Sequence, residues 1–317
     1  MEKDQWRMAS KIRISIGGQR LEKEATSAEY STFPCDLCGS QDVIEVPHAR
    51  LYTNNQPIHI CEGCGFVYVR RRRTANEIAR AWSDEIYSDD FGDETYTARV
   101  PAVKARQTYV ADFADVNIGL KGKLLCDIGA GEGQFLEIVS GRGYQAKVYG
   151  IEPSGKNCLI LTKRDFPNFK GTIEDYKKSD LFKKQKFDVI TMMWTLVNCY
   201  SCVDMVSTAH EMLKPGGKLV VAEGSRILVP FKKPLNYYFS TIPQDLHSFH
   251  FSVNALKNLL KISGFEVVKE NRHIDSDILC VIGKKVEGKV SQAFQGDNYL
   301  EIYNFFERWH RETMYYK

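Results

Sequence analysis

The stretch Leu124-Leu125-Cys126-Asp127-Ile128-Gly129-Ala130-Gly131-Glu132-Gly133-Gln134-Phe135 constrains the fold of this chain more than any other. An apolar run carries an acid near its end, three glycines follow at every second position, and a helical pattern begins at once. Side chains at those glycines would bar a ligand from the backbone, so the turn reads as a binding loop at the carboxyl end of a buried strand. Its Gly-x-Gly-x-Gly spacing differs from the Gly-x-Gly-x-x-Gly of dinucleotide sites. A second strand pattern, 148–151, ends in Glu152, 19 residues after Gly133. A carboxylate there can accept hydrogen bonds from both hydroxyls of a ribose. Gly171-Thr172-Ile173-Glu174 offers an apolar wall and an acceptor to an adenine, and Lys214-Pro215-Gly216-Gly217 makes a hard turn between helix and strand.

Around that loop the apolar pattern alternates. Strands are predicted at 124–128, 148–151, 187–193, 218–222, 265–269 and 278–282, and helices at 134–141, 154–164, 203–213 and 253–262. Alternation of this kind predicts an α/β fold, a doubly wound Rossmann-like sheet.

Ahead of this domain stand two knuckle sequences, Cys35-Asp36-Leu37-Cys38-Gly39 and Cys61-Glu62-Gly63-Cys64-Gly65, separated by 22 residues. A two-residue gap lets two thiolates face one ion, and the glycine after each pair frees a tight turn. Four thiolates suit tetrahedral Zn²⁺ and leave no position open for water. Cys35, Cys38, Cys61 and Cys64 are therefore expected to form a structural zinc site, with a rubredoxin-like iron site as the alternative. His48 and His59, between the pairs, read as loop residues. Cys199-x-x-Cys202 has no second pair near it and reads as a chance spacing. The run Arg70 to Arg73 reads as a solvated turn, with a phosphate contact as the sharper alternative.

Hydrophobic residues make up 43% and charged residues 26% of the chain, and the net charge is +3. This is ordinary globular usage, and the near-neutral charge argues against a nucleic-acid partner. No run reaches the ~20 apolar residues of a membrane span, and the first residues lack an apolar signal core. A cytoplasmic protein with no membrane partner is expected. Residues 1–30 read as a polar leader open to disorder, and 31–73 as the zinc-binding module. Residues 74–122 read as a helical linker or lid, with a long helix at 97–116 and with Trp82, Tyr87, Phe91 and Tyr96 set among acids. Residues 123–285 read as the Rossmann-like domain. Residues 286–317 read as a helical extension in which Tyr299, Ile302, Tyr303, Phe306 and Trp309 form an apolar stripe.

Asp127-x-Gly129-x-Gly131-x-Gly133, Glu152 and Leu213-Lys214-Pro215-Gly216-Gly217 together resemble the class I S-adenosylmethionine-dependent methyltransferases, over about residues 97–285. That resemblance implies S-adenosylmethionine as cofactor. It places Asp127, Gly129, Gly131, Gly133, Glu152, Ile173 and Glu174 around it. Gly129 and Gly131 would border the methionine part, Glu152 the ribose, and Ile173 and Glu174 the adenine, while Asp127 would hold the turn or the amino group. The order of a cysteine-knuckle module, Cys64-Gly65-Phe66-Val67-Tyr68, an acidic aromatic segment and this domain resembles bacterial sugar methyltransferases, over about residues 33–283. Several of those place C-methyl groups on nucleotide-linked deoxyketosugars. The local match is His247-Ser248-Phe249-His250-Phe251-Ser252, followed by Gly264-Phe265. In the sugar enzymes this segment reads Glu-His-x-x-x-Phe-Ser and its histidine is the base, which puts His247 at the base position. Leu246 stands where they carry the glutamate, and Asn198 where they often carry another histidine. The chain also ends near residue 317, without their extra C-terminal domain. These departures bear on C-methylation and leave methyl transfer intact.

A sulfonium methyl is already electrophilic, so the enzyme has to align an acceptor and take up one proton. Histidine changes charge near neutral pH, and His247 is the candidate general base. His250 is the second candidate, and a capping or core role is the alternative for His247. Tyr87 and Tyr96 are candidates for closing over the site. The segment 224–252 holds Phe231, Tyr237, Tyr238, Phe239 and Phe249, which suit stacking on an acceptor. The leading reading is methyl transfer to a small polar acceptor, a sugar or nucleotide-linked sugar. An RNA methyltransferase gripping RNA through the zinc module is the alternative. Against it stand the charge and Met193-Trp194-Thr195-Leu196, where a base-amine enzyme has an Asn-Pro-Pro-Tyr-type tetrad. A non-catalytic zinc scaffold is the third reading, disfavoured by the intact glycine turn and Glu152.

Overall fold

In the computed structural model the described residues are 30–86, 93–141, 143–224, 226–230, 246–272, 278–288 and 294–315, with isolated positions at 15–16, 19–20, 234–235, 238–239 and 290. Tyr87, Phe91, Phe231 and Tyr237 lie outside them, as does the side chain of Tyr96.

The second knuckle turns a short hairpin, and the first joins strands of two separate small sheets. The strands are β1 (Tyr30–Thr32), β2 (Val43–Glu45), β3 (His59–Cys61), β4 (Val67–Tyr68) and β5 (Arg71–Arg73). β2, β3 and β4 pair antiparallel, and β1 pairs with β5. Two sequence readings are corrected here. His59 belongs to a strand rather than a loop, and Arg71 to Arg73 form a strand rather than a solvated turn. Arg72 is fully buried. Its guanidinium grips the two oxygens of Asp36 at 3.1 and 3.0 Å, donates to the Tyr200 carbonyl at 2.9 Å, and lies over the rings of Phe33 and Phe249. A planar fork over aromatic faces is what permits a buried guanidinium.

Helix α1 (Ala75–Arg80) opens with a capping box between Thr74 and Glu77 and runs on into a π-helical turn, Ala81–Ile86. Helix α2 (Asp93–Ile118) begins earlier than the 97–116 pattern implied and contains Pro101. The chain then alternates: β6 (Leu124–Ile128), α3 (Gln134–Ser140), β7 (Lys147–Glu152), α4 (Gly155–Lys163), β8 (Asn168–Lys170), α5 (Ile173–Lys178), α6 (Asp180–Lys184), β9 (Phe187–Met193), α7 (Cys202–Met212) and β10 (Leu213–Glu223). β8, α5 and α6 go beyond the predicted elements, and Lys214 to Gly217, expected as a hard turn, lie within the span of β10, with Gly216 at φ +71°. After a two-residue strand, β11 (Phe249–His250), come α8 (Val253–Ile262), β12 (Phe265–Glu270), β13 (Leu279–Lys285) and α9 (Tyr299–Thr313).

Seven strands form the central sheet in the order β8-β7-β6-β9-β10-β13-β12. Pairings from β8 to β10 are parallel, and β13 is antiparallel to both its neighbours. The strand order reverses between β6 and β9, so the crevice for a ligand opens above the carboxyl ends of those two strands.

β11 does not join this sheet. It pairs with β4, Phe249 opposite Tyr68 and His250 opposite Val67, and Val69 N–H donates to Ser248 O at 2.8 Å. The segment after His247 is thus a strand of the knuckle sheet. The buried Cys35, Cys61, Cys64, Phe66 and Tyr68 share one apolar core with the sheet face under α7 and α8. The stripe on α9 packs Ile302, Phe305, Phe306 and Trp309 against Ile58, Ile60, Val67, Tyr238 and Phe239.

Candidate active site

The three glycines after β6 all have positive φ, between +54° and +82°, but each answers a different need. A Cβ on Gly129 would stand 2.4 Å from Thr195 Oγ1, so the loop lies directly against the turn after β9. A Cβ on Gly133 would stand 2.5 Å from Leu161 Cδ2, which fixes the packing of α3 against α4. At Gly131 there is open space within 4 Å. That position is where a ligand can approach the backbone.

Glu152 closes the loop from the next strand. Its Oε2 accepts from Gly131 N–H at 2.8 Å, and its Oε1 from Ser154 N–H at 2.9 Å and Asn157 Nδ2 at 3.3 Å. Burial raises its pKa, and the two backbone N–H groups oppose that rise. Asp127 is buried inside β6 and accepts from Thr191 Oγ1 at 2.6 Å. Burial pushes its pKa up to about 7, the Thr191 bond pulls it down, and the Glu152 charge adds to the rise. Ile173 is buried at the start of α5; burial raises the pKa of the Cys199 thiol, and the charge of Glu174, beside Ile173, adds to that rise. Outside Glu152, residues Ala79, Arg80, Pro153, Lys156, Lys170 and Thr172 line an open cleft of about 440 Å³.

The turn beside Gly129 carries the second half of the site. Met193 ends β9, and Leu196–Asn198 form a 3-10 turn. Leu196 N–H donates to Glu223 Oε1 at 2.9 Å; Glu223 is fully buried, and burial holds its pKa well above the usual range. Asn198 Oδ1 lies 3.0 Å from Nδ1 of His247. The two positions that the sequence marked separately, one as a candidate base and one as a departure, are in contact. Burial lowers the His247 pKa to about 4, so the ring is neutral at pH 7. The ring of His250 lies 5.4 Å away, buried, and its Nε2 has no partner among the described residues. Leu246 is buried in a small cluster with Ile78, Ala81, Trp82 and Tyr200. Nothing in the sequence marks Thr195 or Glu223 as a site residue, and Asn198 stands out there only as a departure, because their contacts lie across the fold.

At the knuckles the four sulfurs of Cys35, Cys38, Cys61 and Cys64 all lie within 4.8 Å of one another. Cys35 and Cys64 are 3.6 Å apart, and Cys38 and Cys61 3.5 Å. A tetrahedron with Zn–S of ~2.3 Å needs sulfurs about 3.8 Å apart, so the group fits that ion. Asp297 crosses the second knuckle. Its N–H donates to Cys64 O at 3.0 Å, and a Cβ on Gly65 would strike its carbonyl. The Cys199 thiol donates instead to Leu196 O at 3.1 Å.

The family model described as a methyltransferase domain matches residues 103–270, just over half of the chain. The chain belongs to this methyltransferase family. The seven-stranded sheet and glycine loop are accordingly those of a class I methyltransferase domain. A protein of Aromatoleum aromaticum named ubiquinone biosynthesis O-methyltransferase is 26% identical over 154 residues, 48% of this chain and 57% of that one. One of Tropheryma whipplei named demethylmenaquinone methyltransferase is 34% identical over 114 residues, 35% of this chain and 46% of that one. The methyltransferase chain thus spans about half the length of these curated relatives. Both are named for quinones, and neither for the sugars expected from the segment around His247. Among solved structures, an O-methyltransferase family protein from Burkholderia thailandensis aligns with a TM-score of 0.51 at 17% identity, covering 68% of each chain. The 1,6-didemethyltoxoflavin-N1-methyltransferase of the same organism aligns with a TM-score of 0.50 at 12% identity, covering 70% of this chain and 96% of that one. These two likenesses are of fold. No described helix is long and apolar enough to cross a membrane.

Proposed function

We propose that this chain is an S-adenosylmethionine-dependent methyltransferase that methylates a hydroxyl of a small acceptor, with His247 as general base and a structural zinc at the knuckles. The observation that carries the reading is a convergence at the carboxyl ends of the central strands. Gly131, with open space beside it, is tied to Glu152, and Gly129 rests on the turn whose Asn198 meets His247. The cofactor supplies an electrophilic methyl on a sulfonium. Gly131 would leave room for its methionine part, Gly129 seats the loop against Thr195, and Glu152 Oε2, which accepts only from Gly131 N–H, would keep one acceptor site for the ribose. Ile173 and Glu174, at the start of α5, would flank the adenine end. With the cofactor supplying the methyl and leaving as the thioether, His247 would take up the proton of the acceptor hydroxyl.

The acceptor class we favour is a hydroxylated quinone-type ring. Relatives named for quinones support it. A sugar or nucleotide-linked sugar is the second reading, favoured by the contact between His247 and Asn198 at two positions that the sugar-enzyme resemblance singles out. The test is transfer of labelled methyl from S-adenosylmethionine to a panel of dihydroxylated rings and nucleotide-linked deoxysugars. Label in the rings supports the first acceptor and label in the sugars the second. No bound cofactor and no transfer to either defeats the reading.

A further inference from the structure

We propose that Asn198 is the positioning residue of the base, fixing through its amide which nitrogen of His247 carries the proton. This rests on the reading of His247 given above. Trp194 follows β9 with φ +57°, a left-handed conformation that a bulky residue rarely adopts. Its N–H still bonds Ala222 O at 2.8 Å, while its carbonyl accepts from Asn198 Nδ2 at 3.0 Å. A carbonyl only accepts, so the amide must present its NH₂ to Trp194 and its oxygen to His247. That oxygen also only accepts. Nδ1 of His247, 3.0 Å away, therefore carries the hydrogen. A neutral imidazole holds one N–H, so Nε2 is the nitrogen with the free lone pair.

The amide is held from several sides. Asn198 N–H donates to Thr195 O at 3.0 Å, and the buried Glu223 grips the N–H of Leu196. The residue next to His247 does not serve. Leu246 is buried among Ile78, Ala81 and Trp82, where a carboxylate would be a charge without water. The orienting partner comes instead from 49 residues away. An amide sets the tautomer but, unlike a carboxylate, does not stabilise the imidazolium by its charge.

The experiment is nitrogen-15 NMR of His247 in the full chain, for the wild type, Asn198→Ala and Asn198→Asp. The wild type should show protonated Nδ1 and bare Nε2. Asn198→Ala should show a mixture of tautomers, while its melting temperature shifts by only a few degrees. Asn198→Asp should keep the wild-type tautomer and raise the titration midpoint of His247 by about 1–3 pH units, because the new partner is charged. A wild type with protonated Nε2, or an Asn198→Ala variant with the wild-type tautomer undisturbed, overturns the positioning whatever the protein methylates. Methylation undiminished in His247→Ala overturns the base beneath it.

Discussion

Glu152 Oε2 and the backbone nitrogen of Gly131 lie 2.8 Å apart, joining the ends of two neighbouring strands across 21 residues of chain. One carboxylate therefore both shapes the glycine loop and faces the ligand crevice. Glu152→Ala removes the acceptor for a ribose and strands the N–H groups of Gly131 and Ser154. Charge-assisted hydrogen bonds contribute roughly 1.5–3 kcal/mol each. Calorimetry should show S-adenosylmethionine bound at least tenfold more weakly, with a lower melting temperature. Unchanged affinity would remove Glu152 from the cofactor site.

Gly131 and Gly133 should respond differently to alanine. Both have positive φ, which costs an alanine roughly 1–2 kcal/mol. At Gly133 the new methyl also drives into Leu161 and Phe166, adding roughly 1–3 kcal/mol of overpacking. At Gly131 it enters open space that the cofactor needs. Thermal melts should rank Gly133→Ala as the less stable, and cofactor titrations should rank Gly131→Ala as the weaker binder. The reverse order in either measurement contradicts the assignment.

His247→Ala should lower turnover by roughly 10²–10⁴-fold and leave cofactor affinity nearly unchanged. A loss under fivefold at saturating acceptor would make His247 structural.

The depressed pKa of His247 has a pH signature. Folded, the ring titrates near 4; unfolded, near 6.5. Between those values the unfolded chain binds more protons, so stability rises with pH through this window. The contribution is whole above pH 6.5 and drains away as pH falls toward 4. NMR should find the folded ring neutral down to about pH 5. A folded midpoint near 6.5 would mean that the ring is hydrated.

Removing Arg72 should be costly. Arg72→Leu leaves the Asp36 carboxylate buried and unpaired, a loss of roughly 3–5 kcal/mol. The double variant Arg72→Leu with Asp36→Leu should recover much of it, because no isolated charge remains. A denaturant series on the three proteins decides; additive losses would mean that the two side chains do not act as a pair.

Much of this architecture is legible in the residues. The alternation from Leu124 to Ile282 specifies the sheet because buried strands and amphipathic helices carry different apolar periods. The glycine loop and Glu152 are legible because a tight turn against a ligand admits few residue types. The CxxC pairs announce a four-sulfur cluster for the same reason. The contact of His247 is not legible: the sequence marks Asn198 only as a departure from the sugar-enzyme pattern, and the contact exists only once β9 and the segment before α8 are folded together. Arg72 misleads in the sequence, since a run of arginines looks like a solvated face until Asp36, Phe33 and Phe249 surround one of them.

The strand β11 carries a lesson for anyone who would shorten this protein. Residues 97 onward look self-sufficient on paper, since the methyltransferase pattern begins there. Yet Ser248, Phe249 and His250 find their backbone partners in Val69, Tyr68 and Val67. A fragment starting at residue 97 would keep the glycine loop and lose the wall on which His247, the proposed base, is mounted. It would also bare the aromatic underside of α9, where Phe306 and Trp309 now rest on the knuckle strands. The cysteine module is less an attachment than the other jaw of a vice, with His247 mounted between the two.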